Sequence, residues 1–494
     1  MIRPARLVRL LAGIALLGFS QGGPARADDL RDALLSAYNT NPALQAARAE
    51  QRANDENVPI AKADGRPSAS AQGQYTEFVK RSPNSFAAPE RALTADVSLS
   101  VPIYSGGAVR NAVKAARTRV EAGQADLRGT ESATFSRVVA AYMDVILNQA
   151  IVGLNRNNVR VLDVNLQATS DRFEIGDLTR TDVAQSQARL AVARGDLRTA
   201  EANLAAARET YIALVGKPPV DLQPPPPLPN LPAEPTSAVA TALENNPDVI
   251  AARERSKAAD HDIEVAGASR LPKLDVFSGG SYSNYLDTLG GGVTGNAFAQ
   301  RETTAQVGVR ATIPIYQGGR PAAQRRQAQA RAGAALETEI GVERDVVAQT
   351  RSAFTAWQAA NELIASNQTA VDAATLSLEG VRAENSVGNR TILDILDAER
   401  ELLQAQVQLV TARRNAYVAG FSLLAAMGRA EAQDLGLEGG PLYDPDVNYR
   451  RVRGKWFDWE NDPDPKVRAT RTVDTPVQDG SISPDMIQGP VQVP

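Results

Sequence analysis

A duplication constrains the fold more than any other feature, because two long segments repeat one another at a constant offset of 212 residues. The segment 101–107 returns at 313–319 with a shared Pro-Ile-Tyr-x-Gly-Gly pattern, whose residues are Pro102, Tyr104, Gly106 and Gly107, then Pro314, Tyr316, Gly318 and Gly319. The segment 176–182 returns at 388–394, and Gly216 returns as Gly428. A long unit used twice predicts a pseudo-symmetric assembly.

Each half has the pattern of a helix, a strand, a loop, a strand, a long helix, a tight turn and a return helix. The opening helices contain the pairs Asn41-Pro42 and Asn246-Pro247. The long helices run without proline from Ala108 to about Arg172 and from Ala322 to Asn385, which gives a length of roughly 95 Å at 1.5 Å per residue. A compact domain does not need such a helix, whereas a coiled coil or a conduit does.

Apolar and polar residues alternate before each Pro-Ile-Tyr, from Leu93 to Ile103 and from Ala305 to Ile315. This alternation predicts strands with one apolar and one polar face, paired with strands near Ser68–Lys80 and Lys273–Tyr285. The apolar face would cover a core in a soluble sheet, but it would face lipid in an outer-membrane barrel. Tyrosines near the strand ends indicate either an aromatic girdle or only the strand preference of tyrosine: Tyr75, Tyr104, Tyr282, Tyr285 and Tyr316.

Residues 1–27 have the pattern of a secretory signal peptide, with an arginine-rich start, the apolar run Leu10–Phe19 and a small-residue cleavage site. Its removal changes the formal charge from −4 to −8, with 49 basic against 57 acidic residues, which argues against nucleic-acid binding. The chain has no cysteine, so it has no disulfide scaffold. No uninterrupted run of 18 apolar residues follows the signal peptide, so we expect no transmembrane helix and any span must be a barrel.

The repeat predicts five segments. They are a signal peptide at 1–27, a first helix-strand-strand-helix repeat at 28–216, a proline-rich linker at 217–236, a second repeat at 237–436 and a polar C-terminal tail at 437–494. The linker is expected to be a stiff polyproline-like connector. The tail lacks periodicity and is expected to be partly disordered, although aromatic residues between Tyr443 and Trp459 could dock against the body.

In combination, these features resemble the TolC family of outer-membrane efflux and secretion channels along nearly the whole mature chain. The resemblance rests on the signal peptide, the two Asn-Pro helix openings, the two strand-to-helix junctions, the duplication and the turn motif Val-Gly-Asn-Arg-Thr-Ile-Leu-Asp-Ile-Leu-Asp at 387–397. It implies an α+β membrane protein and a homotrimer. Four strands per chain would form a twelve-stranded outer-membrane β-barrel, continued by a long periplasmic α-helical barrel.

The resemblance also implies a passive exit duct in the outer membrane that extends into the periplasm. A periplasmic adaptor (membrane fusion protein) and an inner-membrane ABC or RND transporter would open it, for type I protein secretion, for multidrug efflux, or for both. Outer-membrane lipid is a further expected partner, and no cofactor is expected. The sequence shows no nucleophile–base pair, phosphate loop or metal-ligand spacing, and His261 is the only histidine, so we expect no enzyme and no metal site.

The alternative from another class is a periplasmic coiled-coil adaptor or structural protein. Adaptors resemble this chain in having a helical hairpin, but they carry one hairpin flanked by small β-domains. This chain has two predicted hairpins and four amphipathic strands, which favours the channel.

In the family, acidic rings constrict the periplasmic entrance, and Asp394 and Asp397 match those positions on one helix face. Six such carboxylates in a trimer would raise one another's pKa and attract cations. Asp394 also fits the acid of a helix-capping box that begins at Thr391, and Thr179 with Asp182 repeats it, so the cap and gate roles both stay open. No cap explains Asp397, which favours the gate role.

Four further features of the predicted tip and barrel bear on function. Gly388 and Gly176 would form the hairpin turns, and the repeat counterpart of Asp397 is Gln185, so this acid belongs to the second half alone. Arg390 would either pair with an acid across the closed entrance or stay solvated. A family tyrosine that helps to hold the entrance shut aligns with Asn385, so the closing network departs from the family pattern here. In the barrel, Asp96 and Arg310 are expected to be lumen charges.

Overall fold

The computed structural model describes residues 29–80, 88–290, 298–437 and 442–482, so the predicted signal peptide at 1–27 lies outside the described residues. The first half contains α1 (Leu30–Thr40), α2 (Pro42–Asp55), α3 (Asn57–Ala63), β1 (Ser68–Glu77), β2 (Arg91–Tyr104), α4 (Ala108–Glu174) and α5 (Arg180–Val215). The second half contains α6 (Pro235–Asn245), α7 (Pro247–Gly267), a 3-10 turn (Ala268–Arg270), β3 (Lys273–Asn284), β4 (Arg301–Thr312), α8 (Arg320–Ser386) and α9 (Ile392–Ala426). Helix α10 (Pro445–Val452) follows. The element order predicted from the duplication is confirmed in both halves.

The long helices α4 and α8 contain 67 residues each, which corresponds to about 100 Å at 1.5 Å per residue. An 18-residue window of α4 has a mean hydropathy of 1.4 and is long and apolar enough to cross a membrane. The expectation of no such helix considered only uninterrupted apolar runs, and this window was therefore missed. Half of the window is buried inside the protein, as is common for a core helix.

The four strands form one antiparallel sheet in the order β1-β2-β3-β4. One face is apolar, because Val101, Val276 and Val309 lie side by side across three strands. The opposite face is mainly polar, and its large apolar residue Phe277 lies between Ser100 and Gly308. Among the residues that the structure describes, the outer edges of β1 and β4 have no strand partner.

The two Pro-Ile-Tyr motifs differ in structure, which the sequence did not predict. In β2 the motif lies within the strand, with an irregularity between Pro102 and Tyr104 that pairs Tyr104 with Leu274 on the apolar face. In the second half β4 already ends at Thr312, so Pro314 lies outside the strand. The reason is that Thr312 pairs with the first residue of β3, which leaves no partner for the residues that follow.

Each Asn-Pro pair joins two helices end to end. The side-chain amide of Asn41 donates to the Leu214 carbonyl near the end of α5 (2.9 Å), while its oxygen accepts backbone N–H groups at the start of α2. Asn246 joins α9 to α7 in the same way and donates to the Ala426 carbonyl (2.9 Å). One side chain therefore satisfies the unpaired groups of a helix C-terminus and a helix N-terminus at once. The opening and return helices thus stack into full-length staves, as predicted.

A glycine in the left-handed conformation follows each stacked helix end within two residues. Gly428 has a φ of 69°, and a Cβ atom there would lie 2.4 Å from the Asn245 carbonyl oxygen. Gly216 has a φ of 85° and lies close to Thr40. The duplicated glycines of the sequence are therefore required by the joint itself.

The proline-rich linker packs into the main hydrophobic core instead of crossing open solvent. The Tyr142 hydroxyl donates to the Gln223 carbonyl (2.5 Å), and the Tyr417 hydroxyl donates to the Pro226 carbonyl (3.1 Å). Leu222 is buried in the same core as Tyr142. The linker therefore connects the repeats as a fixed element, and its last two predicted residues already belong to α6.

The described part of the tail lies on the first repeat. Asn448 of α10 donates to the buried carboxylate of Asp55 on α2 (2.7 Å). Further along, Arg208 of α5 donates to the Asp479 carbonyl (2.7 Å), and the Ile482 side chain is buried in the main core. The predicted docking of aromatic residues is found at Tyr443, whose ring lies 5.0 Å from the Arg48 guanidinium. Residues 483–494 lie outside the described part.

We predict that Asn246→Asp weakens the joint, since aspartate keeps the cap acceptor but cannot donate to the Ala426 carbonyl. The loss should be about 0.5–1.5 kcal/mol of unfolding free energy, because the half-buried carbonyl loses one hydrogen bond. Denaturant unfolding followed by circular dichroism measures it. Asn245→Asp is the matched control, because the Asn245 amide donates within its own helix, to the Thr241 carbonyl. Equal effects of the two substitutions would contradict the account.

Candidate functional site

The two hairpin turns lie at the far ends of α4 and α8, away from the sheet. Gly176 and Gly388 both have a φ of 83°, and each turn closes with a backbone bond to a helix carbonyl: Asp177 N to Arg172 O (2.9 Å) and Asn389 N to Glu384 O (3.0 Å). This is the pattern of a helix that ends with a left-handed residue. No atom lies within 4 Å of a Cβ built on either glycine, so the requirement for glycine comes from the backbone angle alone.

Both return helices begin with a complete capping box. The Thr391 backbone and hydroxyl donate to the Asp394 carboxylate (2.8 and 2.7 Å), and the Asp394 N–H donates back to the hydroxyl (3.4 Å). Thr179 and Asp182 repeat these contacts at 2.9, 2.7 and 3.3 Å. Both acids therefore act as helix-capping residues in the structure. This role explains why each follows its turn glycine at the same distance in both repeats.

Within one protomer the pKa of Asp394 lies below its usual value. The first cause is the hydrogen bonding from Thr391, and Arg390 adds to it. The Thr179 hydrogen bonds lower the pKa of Asp182 in the same way. This direction is opposite to the increase expected from neighbouring acids, because the cap contacts within a protomer favour the charged carboxylate.

Arg390 pairs within its own turn. Its Nε donates to Glu384 (2.7 Å), its Nη1 lies 3.8 Å from Asp394, and the Glu384 contact raises the pKa of the guanidinium. Asn385, which stands in place of the family tyrosine, donates to the Arg390 carbonyl (2.7 Å) and so helps to close the same turn. In the first hairpin the corresponding ion pair is Arg172–Asp177 (2.8 Å). Each turn is thus held locally.

Asp397 pairs across the two hairpins. Its carboxylate accepts a hydrogen bond from Arg189 of α5 at 2.7 Å. The Arg189 side chain is 35% exposed and that of Asp397 56%, so solvent screens the pair and it stabilises the contact only weakly. Gln185, the counterpart of Asp397 in the first half, is uncharged and cannot form such an ion pair.

Glu399 is a site residue that the sequence reasoning missed. It is buried, and it accepts hydrogen bonds from Asn165 of α4 (3.0 Å to each oxygen) and from Arg382 of α8 (2.9 Å). The sequence does indicate this residue, because Glu399 follows the apolar residues Ile395 and Leu396 at helical spacing and so lies on the same face of α9. A charged residue in such a stripe needs a buried partner.

Leu396 completes the contact between the hairpins. Its side chain is 2% exposed and packs with Leu162 of α4 and with Leu190 and Ala193 of α5. Leu396, Asp397 and Glu399, together with their partners Leu162, Arg189 and Asn165, form what we call the hairpin latch. The latch combines one apolar contact, one exposed ion pair and one buried polar contact near the tip.

The strand-to-helix junctions are held by paired glycines with positive φ. Gly106 and Gly107 have φ values of 66° and 85°, and Gly318 and Gly319 have 61° and 79°. A Cβ on Gly106 would lie 2.9 Å from the Ala268 carbonyl oxygen, so the first junction packs under the 3-10 turn. The second junction is open, and Tyr316 is 87% exposed there.

The polar face of the sheet carries Asp96 and Arg310. Asp96 pairs in register with Ser281, and Arg310 pairs with Asp275. The Arg310 guanidinium lies 4.8 Å from the Phe277 ring centre, which is within the range of a cation–π contact. These charges share one face, as the alternation predicted.

Comparison with known proteins agrees with this architecture. Residues 34–217 and 238–429 match the family described as outer membrane efflux protein. The chain is 36% identical over 450 residues to the outer membrane efflux protein BepC of Brucella suis biovar 1 (strain 1330), covering 91% of this chain and 94% of BepC. It is 27% identical over 448 residues to the outer membrane protein TolC of Escherichia coli (strain K12), covering 87% and 88%. The crystal structure of VceC from Vibrio cholerae matches with a TM-score of 0.68 at 22% identity, covering 81% of this chain and 96% of VceC.

The two capping boxes can be tested by the same substitution in each repeat. Asp394→Ala and Asp182→Ala should each speed hydrogen exchange of the N-cap amide, that of Thr391 or Thr179, at neutral pH, since each removes the carboxylate that accepts from this amide. The pKa of each acid is lowered by folding, so its contribution is present above the unfolded value of about 3.9 and is lost as the pH falls through the folded value. Near pH 3, after correction for intrinsic rates, the difference from the wild type should therefore shrink. Exchange that is unchanged at neutral pH in either variant would refute the cap role.

Proposed function

The chain belongs to the family of outer membrane efflux proteins, and we propose that three copies of it form one export duct, opened by a periplasmic adaptor and an inner-membrane transporter. As a member of this family it is a passive outer-membrane channel that extends into the periplasm, and it is not an enzyme. The observation that carries the proposal is a four-stranded sheet with an exposed apolar face, whose two edges have no strand partner among the described residues, continued by helices of about 100 Å.

The sheet edges support the number of copies. Inside a bilayer no water satisfies the free backbone groups of β1 and β4, so each edge needs another strand and the sheet must close into a barrel. Val307 and Val309 are 79% and 65% exposed, as expected of a lipid-facing surface. Two copies would give eight strands, a barrel that side chains fill, whereas three copies give twelve and leave a passage.

The second hairpin supports the assembly of a helical tunnel. Far fewer residues are buried in α8 than in α4, although the two helices are repeats of equal length. Large apolar side chains remain exposed along α8, namely Leu336, Ile340, Leu363 and Leu376. We infer that neighbouring protomers cover part of this surface, so that three copies place twelve full-length staves, six continuous and six stacked, around one lumen.

The periplasmic gate is proposed to lie at the second hairpin turn. Asp394 and Asp397 would form the constriction and attract cations, with Arg390, Gly388 and Thr391 supporting the turn. Gly176, Thr179 and Asp182 would be the corresponding static tip of the first hairpin. The docked tail supports this division, since its contacts at Asp55, Gly153 and Arg208 are with the first repeat.

Opening would then separate the hairpin latch. The second hairpin would leave the first by exposing Leu396, breaking the Arg189–Asp397 pair and freeing Glu399 from Asn165. The Glu399–Arg382 pair lies within the second hairpin and could move with it. An adaptor that binds the outer surface supplies the energy by its preference for the open form.

The finer identities of the partners are part of the proposal. The adaptor would be a membrane fusion protein, the transporter an ABC or RND pump, and the cargo either proteins of type I secretion or small molecules. The alternative, a periplasmic coiled-coil adaptor or structural protein, does not explain the four amphipathic strands. Family membership argues against it as well.

Two substitutions at one ion pair test the gate. Asp397→Ala removes both the latch pair and a carboxylate of the proposed ring, whereas Arg189→Ala removes only the pair. In planar bilayers we expect Asp397→Ala to raise single-channel conductance and to weaken block by divalent cations at the periplasmic side. Arg189→Ala should raise conductance less and leave the cation block intact, because all the carboxylates remain.

The outcomes separate the parts of the proposal. Unchanged conductance and unchanged cation block in Asp397→Ala would remove Asp397 from the gate. Equal loss of cation block in both variants would show that the ion pair, and not the ring of carboxylates, controls the entrance. Gln185→Ala, at the counterpart position of the first hairpin, is the control and should leave both properties unchanged.

A further inference from the structure

Three aromatic residues of the tail are exposed together. Trp456, Phe457 and Trp459 are 56%, 70% and 92% exposed, and they include two of the three tryptophans of the chain. The third, Trp357, packs against Phe354 within α8. Large aromatic side chains gathered in water are unfavourable, so an exposed cluster marks an interaction surface. We call residues 455–460 the aromatic loop.

The aromatic loop is closed at its base by ion pairs. Arg451 donates to both oxygens of Asp462 (2.6 and 2.7 Å), and Lys455 lies 3.2 Å from the same carboxylate. The hydrogen bonds from Arg451 contribute most to lowering the pKa of Asp462 to about 2, so the carboxylate stays charged. The base of the loop is therefore fixed, while its three aromatic side chains stay exposed.

The loop lies at the level where the sheet meets the helices. Arg66 donates to the Lys455 carbonyl (2.7 Å), and its guanidinium lies 4.5 Å from the Trp456 ring centre. Arg66 precedes the first residue of β1 by two positions. Exposed apolar residues of the sheet end gather at the same level, namely Ile103, Tyr104, Ile313, Ile315 and Tyr316. The aromatic loop therefore lies beside the end of the sheet that carries these exposed apolar residues.

We propose that the aromatic loop is an interfacial anchor, which inserts into the headgroup region of the periplasmic leaflet of the outer membrane. The inference rests on the proposed function, because the barrel defines the level of the membrane. Tryptophan is the side chain best suited to this zone, since its ring is apolar and its N–H is a donor. Three loops per trimer would fix the height and tilt of the duct.

Charge indicates which lipid the loop contacts. Asp458 and Glu460 flank Trp459 and oppose anionic headgroups, whereas Lys455 and Arg66 lie on the side of Trp456. The mixture of charges fits zwitterionic phospholipid and an insertion driven by the aromatic rings. The tail links this anchor to the first repeat through Asp55 and Arg208.

Fluorescence quenching by lipid tests the anchor in the full-length protein. The Trp357→Phe variant, which retains Trp456 and Trp459, is reconstituted into phosphatidylcholine vesicles with or without bromine on the acyl chains near the headgroup. We expect brominated lipid to reduce its emission, and transfer from detergent to plain vesicles to shift the emission to shorter wavelength. The control Trp456→Phe/Trp459→Phe retains only Trp357, which lies in the periplasmic helices, and brominated lipid should not reduce its emission.

Conductance of the same vesicles is measured in parallel, so that failure of the channel and failure of the anchor are distinguished. Conducting vesicles without quenching of Trp456 and Trp459 would overturn the anchor while leaving the channel intact. Emission that is already at short wavelength in detergent and insensitive to bromine would place a neighbouring subunit over the loop and overturn the proposal. Quenching that requires added phosphatidylglycerol would overturn the zwitterionic assignment.

Discussion

The backbone hydrogen bonds at the two edges of the sheet are the constraint on which the assembly depends. Each chain supplies four strands, and the free N–H and C=O groups of β1 and β4 have no partner among the described residues. Water can satisfy such groups at the surface of a soluble protein, but not inside a bilayer. Closure with further copies is the arrangement that satisfies them, and the number of copies then fixes the width of the passage.

The stacked helices of the staves also have backbone groups that need hydrogen-bond partners. A stave built from two helices leaves unpaired carbonyls at one helix end and unpaired N–H groups at the next. Asn41 and Asn246 satisfy both, and the glycines at 216 and 428 let the chain leave the joint. The repeat therefore supplies the same joint twice, whereas the copies differ at the strand-to-helix junctions and near the tip. Asp397 and Glu399 occur in the second copy only, and both bind partners on the first hairpin.

Much of this could be predicted from the sequence, because it follows from local rules. Alternating apolar and polar residues predicted the strands, and long proline-free segments predicted the helices. Thr391 with Asp394 indicated a helix cap, which the structure contains. Partners across the fold could not be predicted. Arg189 and Asn165 meet α9 only because the two hairpins pack in one register, and no local pattern encodes this. The early end of β4 and the docking of the tail likewise depend on tertiary pairing.

The number of chains in the closed barrel tests the account most directly. Native mass spectrometry of the full-length protein, released from membranes in mild detergent, measures it. The account predicts a complex of three chains, because three four-stranded sheets close a barrel that leaves a lumen. A stable complex of two or four chains, or a folded single chain in the membrane, would contradict it.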